Sequence, residues 1–589
     1  MNQRSFVLAV LLLYAMNACP QSHAPVAEAS IIGFFEQRDL ELSGSLNQSH
    51  QGVITKLGQP NTIFGQQRLA YHFTHPTADM QELERRQAAI REIYSNTELA
   101  ASITPLFEVI KKNQSGIEFF LNKTLEPSAQ HILDTYYFSA SCLQEYNDSE
   151  LALTLRDIFK KFGLFAPTIE HVLFHFALDY IQQAIAQDKH HKHHKHHKHE
   201  HHGHKCMGHL EAASDAGSAV KGLFLMLKVG HFCMHAVSIY EMVTHIKSQL
   251  AVLNDLYVNI AAVRQCLENM HALAKITKNH AALSSVMPAF DQQTTLAQEL
   301  IDVLNGGNFE LDQSLGFFSA VGPTLRAYTL LRQLIPTWQP LLATVGDLDA
   351  YVSMAQLIHT HDNQPATFSF VRFKNNNKTP CITMKGAWNI MLNPNTVVTN
   401  DITLGSANAP SMMVITGPNK AGKSSILKTL GLNIVLAQSF GIVAAHDAEM
   451  SPFDALLTYM TVTDDISSDS SLMVAEMARA DACLKTIQNL QPGTFACALI
   501  DDSLFKGTTF TKGQELAHQF IKSLGRLPQA CGMVATHTAL LTQLAQQDSA
   551  AFANFYIPTV QTESGKSKST FTLVPGISNP DHVLEIVLA

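Results

Sequence analysis

The chain has 589 residues, 46% hydrophobic and 15% charged, a composition that excludes a disordered protein and describes a packed one. That length allows roughly two to four domains, each with its own core. Forty-one Lys and Arg against 50 Asp and Glu leave a net charge of −9, which argues against the broadly basic surface of a strong duplex-DNA binder. A local basic patch stays open, because net charge does not report distribution.

In chain order, Met1-Asn2-Gln3-Arg4 precedes an uncharged run from Ser5 to Ala18 that contains Phe6-Val7-Leu8-Ala9-Val10-Leu11-Leu12-Leu13. One positive charge, a short apolar run and a small residue at its end resemble a secretory signal peptide, too short for a spanning helix. Cys19 after Ala18 raises lipoprotein-type processing, but Met16-Asn17 fits that pattern poorly. Residues 1–18 are therefore read as a signal-like segment, a membrane anchor if retained, and 19–59 as a linker or small N-terminal extension. The cysteines (19, 142, 206, 233, 266, 381, 483, 497 and 531) are odd in number and form no Cys-x-x-Cys pair. They suit free thiols in a reducing, cytoplasmic setting, so export and cytoplasm both stay open.

Helical patterning dominates from about 80 to 350, with Leu- and Ala-rich periodic runs and few prolines. Apolar positions 80, 83, 90 and 93 fit a helix with one buried face. The Lys- and His-rich tract 189–209 cannot bury an apolar face, and predicts a solvated loop inserted between helices. Its imidazoles, at 190–209, would bind Zn²⁺, Ni²⁺ or Cu²⁺ adventitiously and would charge together on mild acidification.

From about 380 onward short β-rich runs alternate with helices, as in an α/β sheet domain. The apolar stretch Met412-Met413-Val414-Ile415 leads into Gly417-Pro418-Asn419-Lys420-Ala421-Gly422-Lys423-Ser424-Ser425. This strand–glycine loop–helix pattern is that of a phosphate-binding loop, whose backbone N–H groups wrap phosphates at a helix N-terminus. Gly417 and Gly422 suit a backbone that approaches the ligand closely. Lys423 would reach the β- and γ-phosphates of ATP, and Ser424 would ligate Mg²⁺. Further on, Phe495-Ala496-Cys497-Ala498-Leu499-Ile500 predicts a buried strand, followed by the carboxylates Asp501-Asp502 and then Ser503-Leu504-Phe505-Lys506-Gly507-Thr508.

The phosphate loop from Ile415 to Ser425 resembles that of the MutS family of DNA mismatch-repair ATPases. Further motifs agree in order. They are Asp464-Asp465-Ile466 with Ser468-Asp469-Ser470-Ser471 and Glu476-Met477, then Ala535-Thr536-His537 with Leu540-Leu541-Thr542-Gln543-Leu544, and finally Phe571-Thr572-Leu573-Val574-Pro575-Gly576-Ile577-Ser578. Upstream, Leu69 to Ile93, with Pro76, Asp79, Leu83, Arg85-Arg86-Gln87, Ile90 and Ile93, resembles the opening of the family's helical core. The resemblance implies an α/β P-loop NTPase domain of ABC type at 376–589, preceded by a large all-α core, lever and clamp domain at 60–375.

It also implies roles. Two ATPase domains would face each other as a homodimer, with Ser471 completing the partner's site in trans. Asp469 and Ser470 stand where the family usually carries Gly and a basic residue, which makes that trans site more acidic. His537 would sense the γ-phosphate or position water. The family places a metal-site Asp and a catalytic Glu before Gly-Thr. Gap-free alignment on Gly507-Thr508, the preferred register, makes Asp502 the Mg²⁺ residue beside Ser424 and puts Ser503 at the glutamate position. Serine cannot act as base at neutral pH, and losing a base costs about 10²–10⁴ in rate. The other register makes Asp501 the metal residue and Asp502 the base, with one inserted residue, and a strand ending at Ile500 favours it.

Only about forty residues separate the signal-like segment from the core-like region, and the chain ends soon after the ATPase motifs. A mismatch-reading domain is therefore not expected, nor an appended nuclease. Three readings follow: an ATP-driven dimeric clamp on DNA, a nucleotide switch with a non-DNA partner, and a scaffold that binds ATP with negligible turnover.

Overall fold

The computed structural model describes residues 31–42, 52–122, 125–164, 166–196, 207–286, 295–307, 309–311, 313–334, 337–374, 378–406, 409–460, 472–502, 504–561 and 567–578. The signal-like segment 1–18 lies outside them, as do Ser471 and Ser503. The described residues divide into two compact units. One is drawn from Met1–Lys112, Asn269–Gln292 and Gln339–Ala589, the other from Asn113–Glu268 and Gln293–Trp338. The boundary expected near 376 falls inside the first unit.

The first unit is built on strands β1 Arg372–Phe373, β2 Ile382–Ala387, β3 Asn400–Leu404, β4 Met412–Thr416, β5 Asp447–Met450, β6 Ala455–Tyr459, β7 Ala496–Ile500, β8 Ala530–Ala535, β9 Phe552–Tyr556 and β10 Val574–Pro575. The main sheet runs β10-β9-β4-β8-β7-β6, parallel except for β10 at one edge, and β1-β5-β2-β3 form a second sheet. Every residue of β4, β7 and β8 is buried. That explains why these strands read as continuous apolar runs and not as alternation, since helices cover both faces of the sheet.

The unit's principal helices are α1 Phe34–Asp39, α2 Ile63–Thr74, α3 Met80–Ser95, α4 Gln339–Thr360, α5 Lys423–Phe440, α6 Leu472–Gln488 and α7 Phe510–Gly525. Ala517, Phe520 and Ile521 of α7 share a core with Met412, Val414, Ala498, Ile500 and Val534, the residues on one face of the sheet. On the other face α5 comes so close that a Cβ on Gly431 would lie 2.8 Å from Leu499 and 2.7 Å from Leu40.

Helix α3 starts at Asp79, whose carboxylate accepts from the N–H groups of Gln81 and Glu82, a regular N-cap. Leu83, Ile90 and Ile93 are buried as the periodicity predicts, while Met80 is half-buried. Arg86 and Gln87 fasten α3 to the end of α5, donating to the carbonyls of Ser439 (3.0 Å) and Gly441 (2.7 Å). The segment that resembles the opening of a separate helical core thus belongs with the sheet domain.

Residues 31–42, within the stretch read as a linker or small N-terminal extension, pack against the sheet. Ile32, Leu40 and Leu42 are buried. Strand β6 is an edge, and its outward N–H groups at Leu456, Thr458 and Met460 are taken by the Ile31 carbonyl (2.9 Å), the Glu36 carboxylate (3.3 Å) and the Asp39 carboxylate (3.2 Å). Arg479 of α6 completes the arrangement with a 2.8 Å ion pair to the fully buried Asp39 side chain.

The second unit is helical. Its main feature is a pair of helices, Ala166–His196 and Met207–Thr277. They run antiparallel, since His171 stacks on His235 (3.9 Å between ring centroids) while Asp179 pairs with Lys228. The tract 189–209 is therefore not loop throughout: helix continues to His196 and resumes at Met207. Lys and His are tolerable helix formers, and no glycine or proline interrupts the sequence from 189 until Gly203.

Candidate nucleotide-binding site

The loop between β4 and α5 is shaped by three residues with positive φ, Gly417 (154°), Lys420 (64°) and Gly422 (107°). A Cβ at Gly422 would sit 2.9 Å from the Phe571 ring. The loop is braced from outside as well. Ser569 Oγ donates to the Ala421 carbonyl (2.7 Å), and Asn389 Nδ2 donates to that of Ser425 (3.3 Å). Gly417, Pro418 and Ala421 are buried, while Asn419, Lys420 and Ser424 are exposed. The N-terminus of the 18-residue helix α5 opens at Lys423, so its unpaired N–H groups and positive dipole end lie at the loop.

Lys423 Nζ folds back on its own loop, donating to the carbonyls of Gly417 (3.0 Å) and Pro418 (3.3 Å). Burial lowers its pKa, against the opposing pull of the Asp502 and Asp501 carboxylates. His537 stands just past the C-terminal end of β8, with Nε2 2.9 Å from Lys423 Nζ and 3.0 Å from Asp502 Oδ2. One nitrogen cannot both accept from the ammonium and donate to the carboxylate. The hydrogen bond from His537 holds the Asp502 carboxyl below its ordinary pKa.

The carboxylates are arranged differently from the preferred sequence register. Ser424 Oγ donates to Asp501 Oδ2 at 2.7 Å, so Asp501, not Asp502, stands beside the serine expected to ligate Mg²⁺. The reason is strand register. Ile500 pairs with Tyr459 and Val534, and the Asp501 N–H still donates to the Tyr459 carbonyl (2.9 Å), which makes Asp501 the first residue off the sheet edge facing the loop. The extra residue is absorbed before Gly507-Thr508, where Phe505 has a φ of 54°, a conformation that side-chain-bearing residues adopt mainly in tight turns. Two oxygen donors at the mouth of a phosphate loop, Ser424 and Asp501, suit Mg²⁺, which takes few protein ligands and completes its shell with water and phosphate oxygens.

Glu476, quoted above only as part of a motif, has a clear structural part. Its buried carboxylate accepts from the N–H groups of Lys506 (2.9 Å) and Gly507 (3.0 Å), tying α6 to the turn after Asp502. Gly507 lies so close to α6 that a Cβ would come within 2.6 Å of the Met473 nitrogen. Ser471 would immediately precede α6, outside the described residues. The brace residues Asn389 and Ser569 carry no sequence signal, because each acts from a distant loop. Among the described residues, no group of three or more His, Cys, Asp or Glu is arranged to hold a metal ion, and the side chains of the tract 190–209 are not among them.

Residues 413–587 match the family described as MutS domain V. The chain is 31% identical over 231 residues to the DNA mismatch repair protein MutS of Leuconostoc citreum, a match that covers 39% of this chain and 25% of that protein. It is 26% identical over 226 residues to the protein of the same name from Streptococcus agalactiae, covering 38% and 25% respectively. Against the DNA mismatch repair protein MSH6 of Arabidopsis thaliana, identity is 23% over 302 residues, 50% of this chain and 22% of that protein. The matches thus span about a quarter of each relative's length.

Proposed function

The chain carries a MutS-family ATPase domain, and from that premise we propose that it binds ATP with Mg²⁺ and hydrolyses it, as a nucleotide-driven homodimer. The observation that carries the reading is the pairing of Ser424 with Asp501, which leaves Asp502 free to act as base. Ser424 and Asp501 would hold Mg²⁺, which would supply positive charge to offset the negative charge developing on the phosphate. Lys423 is within reach of a phosphate oxygen if it leaves the Gly417 and Pro418 carbonyls. Such a move also frees His537 Nε2–H to donate to Asp502, relieving the conflict at that nitrogen. Asp502 would then accept the proton of the attacking water, with His537 holding its carboxylate in place. Ser471 of a second copy would complete the site, and the relatives' names make DNA the expected partner. The net charge of −9 and the apolar character of the second unit favour a further reading, a switch with a non-DNA partner.

Steady-state ATP turnover of the full chain, with and without duplex and branched DNA, tests both. Asp502→Asn should lower turnover by about 10²–10⁴ while ATP still binds, and Ser503→Ala should leave it nearly unchanged. Equal turnover by Asp502→Asn and the parent chain would refute the assignment of the base. Stimulation by DNA supports the clamp; its absence moves the search to another partner.

A further inference from the structure

The two-helix hairpin of the second unit shows water an unusually apolar outer surface. Its seam holds ionisable groups beside apolar ones: Asp179 pairs with Lys228, and His171 stacks on His231 (4.9 Å) and His235 (3.9 Å), while Phe174 packs on His231 (3.8 Å) and Leu178 is buried. Its outer surface is apolar, with Leu173, Phe176 and Tyr180 on the first helix and Met226, Phe232 and Tyr240 on the second each more than 60% exposed. A soluble helix pair does the reverse, hiding an apolar stripe and showing charge. Ionisable residues turned to the seam with apolar residues outward is how helices are arranged in a bilayer.

Three observations specify lipid over another protein surface. At 100° per residue, exposed Leu225, Met226, Leu227 and Val229 fall on several sides of the helix, whereas a docking helix would need one stripe. The stretch Gly222–Thr277 is long and apolar enough to cross a membrane, and none of its most apolar window is buried. Helix α4 passes the same test but has 67% of its window buried, as a core helix should. From 222 to 243 the helix runs about 33 Å, against a hydrocarbon core of about 30 Å. In sequence, the stretch that joins the two helices carries Lys189, Lys192, Lys195, Lys198 and Lys205, a positive charge that favours anionic lipid.

We propose that this hairpin inserts into a lipid bilayer, its apolar outer surface in the hydrocarbon. The inference is independent of the nucleotide site.

The test uses the full chain with Cys19, Cys142 and Cys206 changed to Ser, labelled with an environment-sensitive fluorophore at exposed Cys233; the remaining cysteines are buried or half-buried. Vesicles of phosphatidylcholine, alone or mixed with phosphatidylglycerol, are added. The expected result is a blue shift and quenching by lipids spin-labelled on the acyl chain, with tighter association for the anionic mixture. Met226→Glu with Phe232→Glu, both at exposed positions that the fold does not need, should weaken vesicle affinity by more than about a hundredfold. Circular dichroism of that variant should be unchanged. If the chain floats with vesicles but the probe is never quenched, the anchor lies elsewhere and the proposal fails. If labels self-quench between copies without vesicles and ignore lipid, the surface is a dimer interface and the proposal fails equally.

Discussion

The phosphate loop and the helical hairpin both turn polar groups inward, but what surrounds them differs. Around Lys423, His537, Asp501 and Asp502 lies a sheet whose apolar residues are covered on both faces by helices. Around His171, Asp179 and Lys228 lies apolar surface that stays exposed among the described residues. The first arrangement is what water selects, since burying the strands of the sheet stabilises the fold and leaves one polar opening for a ligand. The second is stable only where the surroundings are themselves apolar. On the proposed insertion one chain is built for two solvents, and it is the exposure of the hairpin's apolar residues, not their number, that separates the two regions.

The largest separable effect on the first unit is expected at Asp39, whose buried carboxylate holds Thr458, Met460 and Arg479. Asp39→Ala should cost about 3–5 kcal/mol, because it removes the carboxylate that neutralises the largely buried Arg479 guanidinium. Denaturant unfolding followed at Trp388, in the first unit, reads that loss. If the hairpin's helical signal is lost at the same midpoint, the two regions unfold as one and the contrast is weaker than drawn.

A pH series sharpens the same point. Burial lowers the pKa of His72 to about 4, although Asp347 accepts from it at 2.6 Å. The unfolded chain takes up this proton near pH 6.5 and the folded chain only near 4. Stability is thus full above 6.5 and falls as pH drops from 6.5 to 4, by up to about 3 kcal/mol. His72→Gln should flatten that slope in the unfolding midpoint of the first unit; an unchanged slope would assign it to another group.

Lys423→Ala should weaken ATP binding by about tenfold to a hundredfold, through loss of a charged hydrogen bond to phosphate, without changing vesicle association. Coupled losses would mean that the two regions are not independent. The smallest effect is expected at Arg372 and Asp447, a pair 59% and 42% exposed. Asp447→Ala should change stability by no more than about 0.5 kcal/mol, read by the same denaturant midpoint.

The phosphate loop is legible in the sequence because its chemistry is local: strand, glycines, lysine and serine are consecutive. The carboxylates are only half legible. Two adjacent aspartates fit two registers, and what decides between them is the pairing of Ile500 with strands far off in sequence, together with a turn at Phe505 that no neighbouring glycine announces. Segment 31–42 is illegible for the same reason taken further, since Glu36 and Thr458 are 422 positions apart. The tract at 189–209 misleads in another way: lack of an apolar face excludes packing, but it does not exclude helix. The hairpin's apolar runs look alike whether they are core or surface, and only the partners across the seam separate the two cases.

The covering of β6 has a consequence for solubility. A strand with three free N–H groups at its margin is a template on which another molecule can add a strand, and the end point of such addition is aggregation. Here two of those groups end on carboxylates, Glu36 and Asp39, which no incoming strand can extend. A chain trimmed beyond residue 42 would keep its phosphate loop yet present a sticky margin, so fragments made to isolate the ATPase should retain residues 31–42 to stay monodisperse.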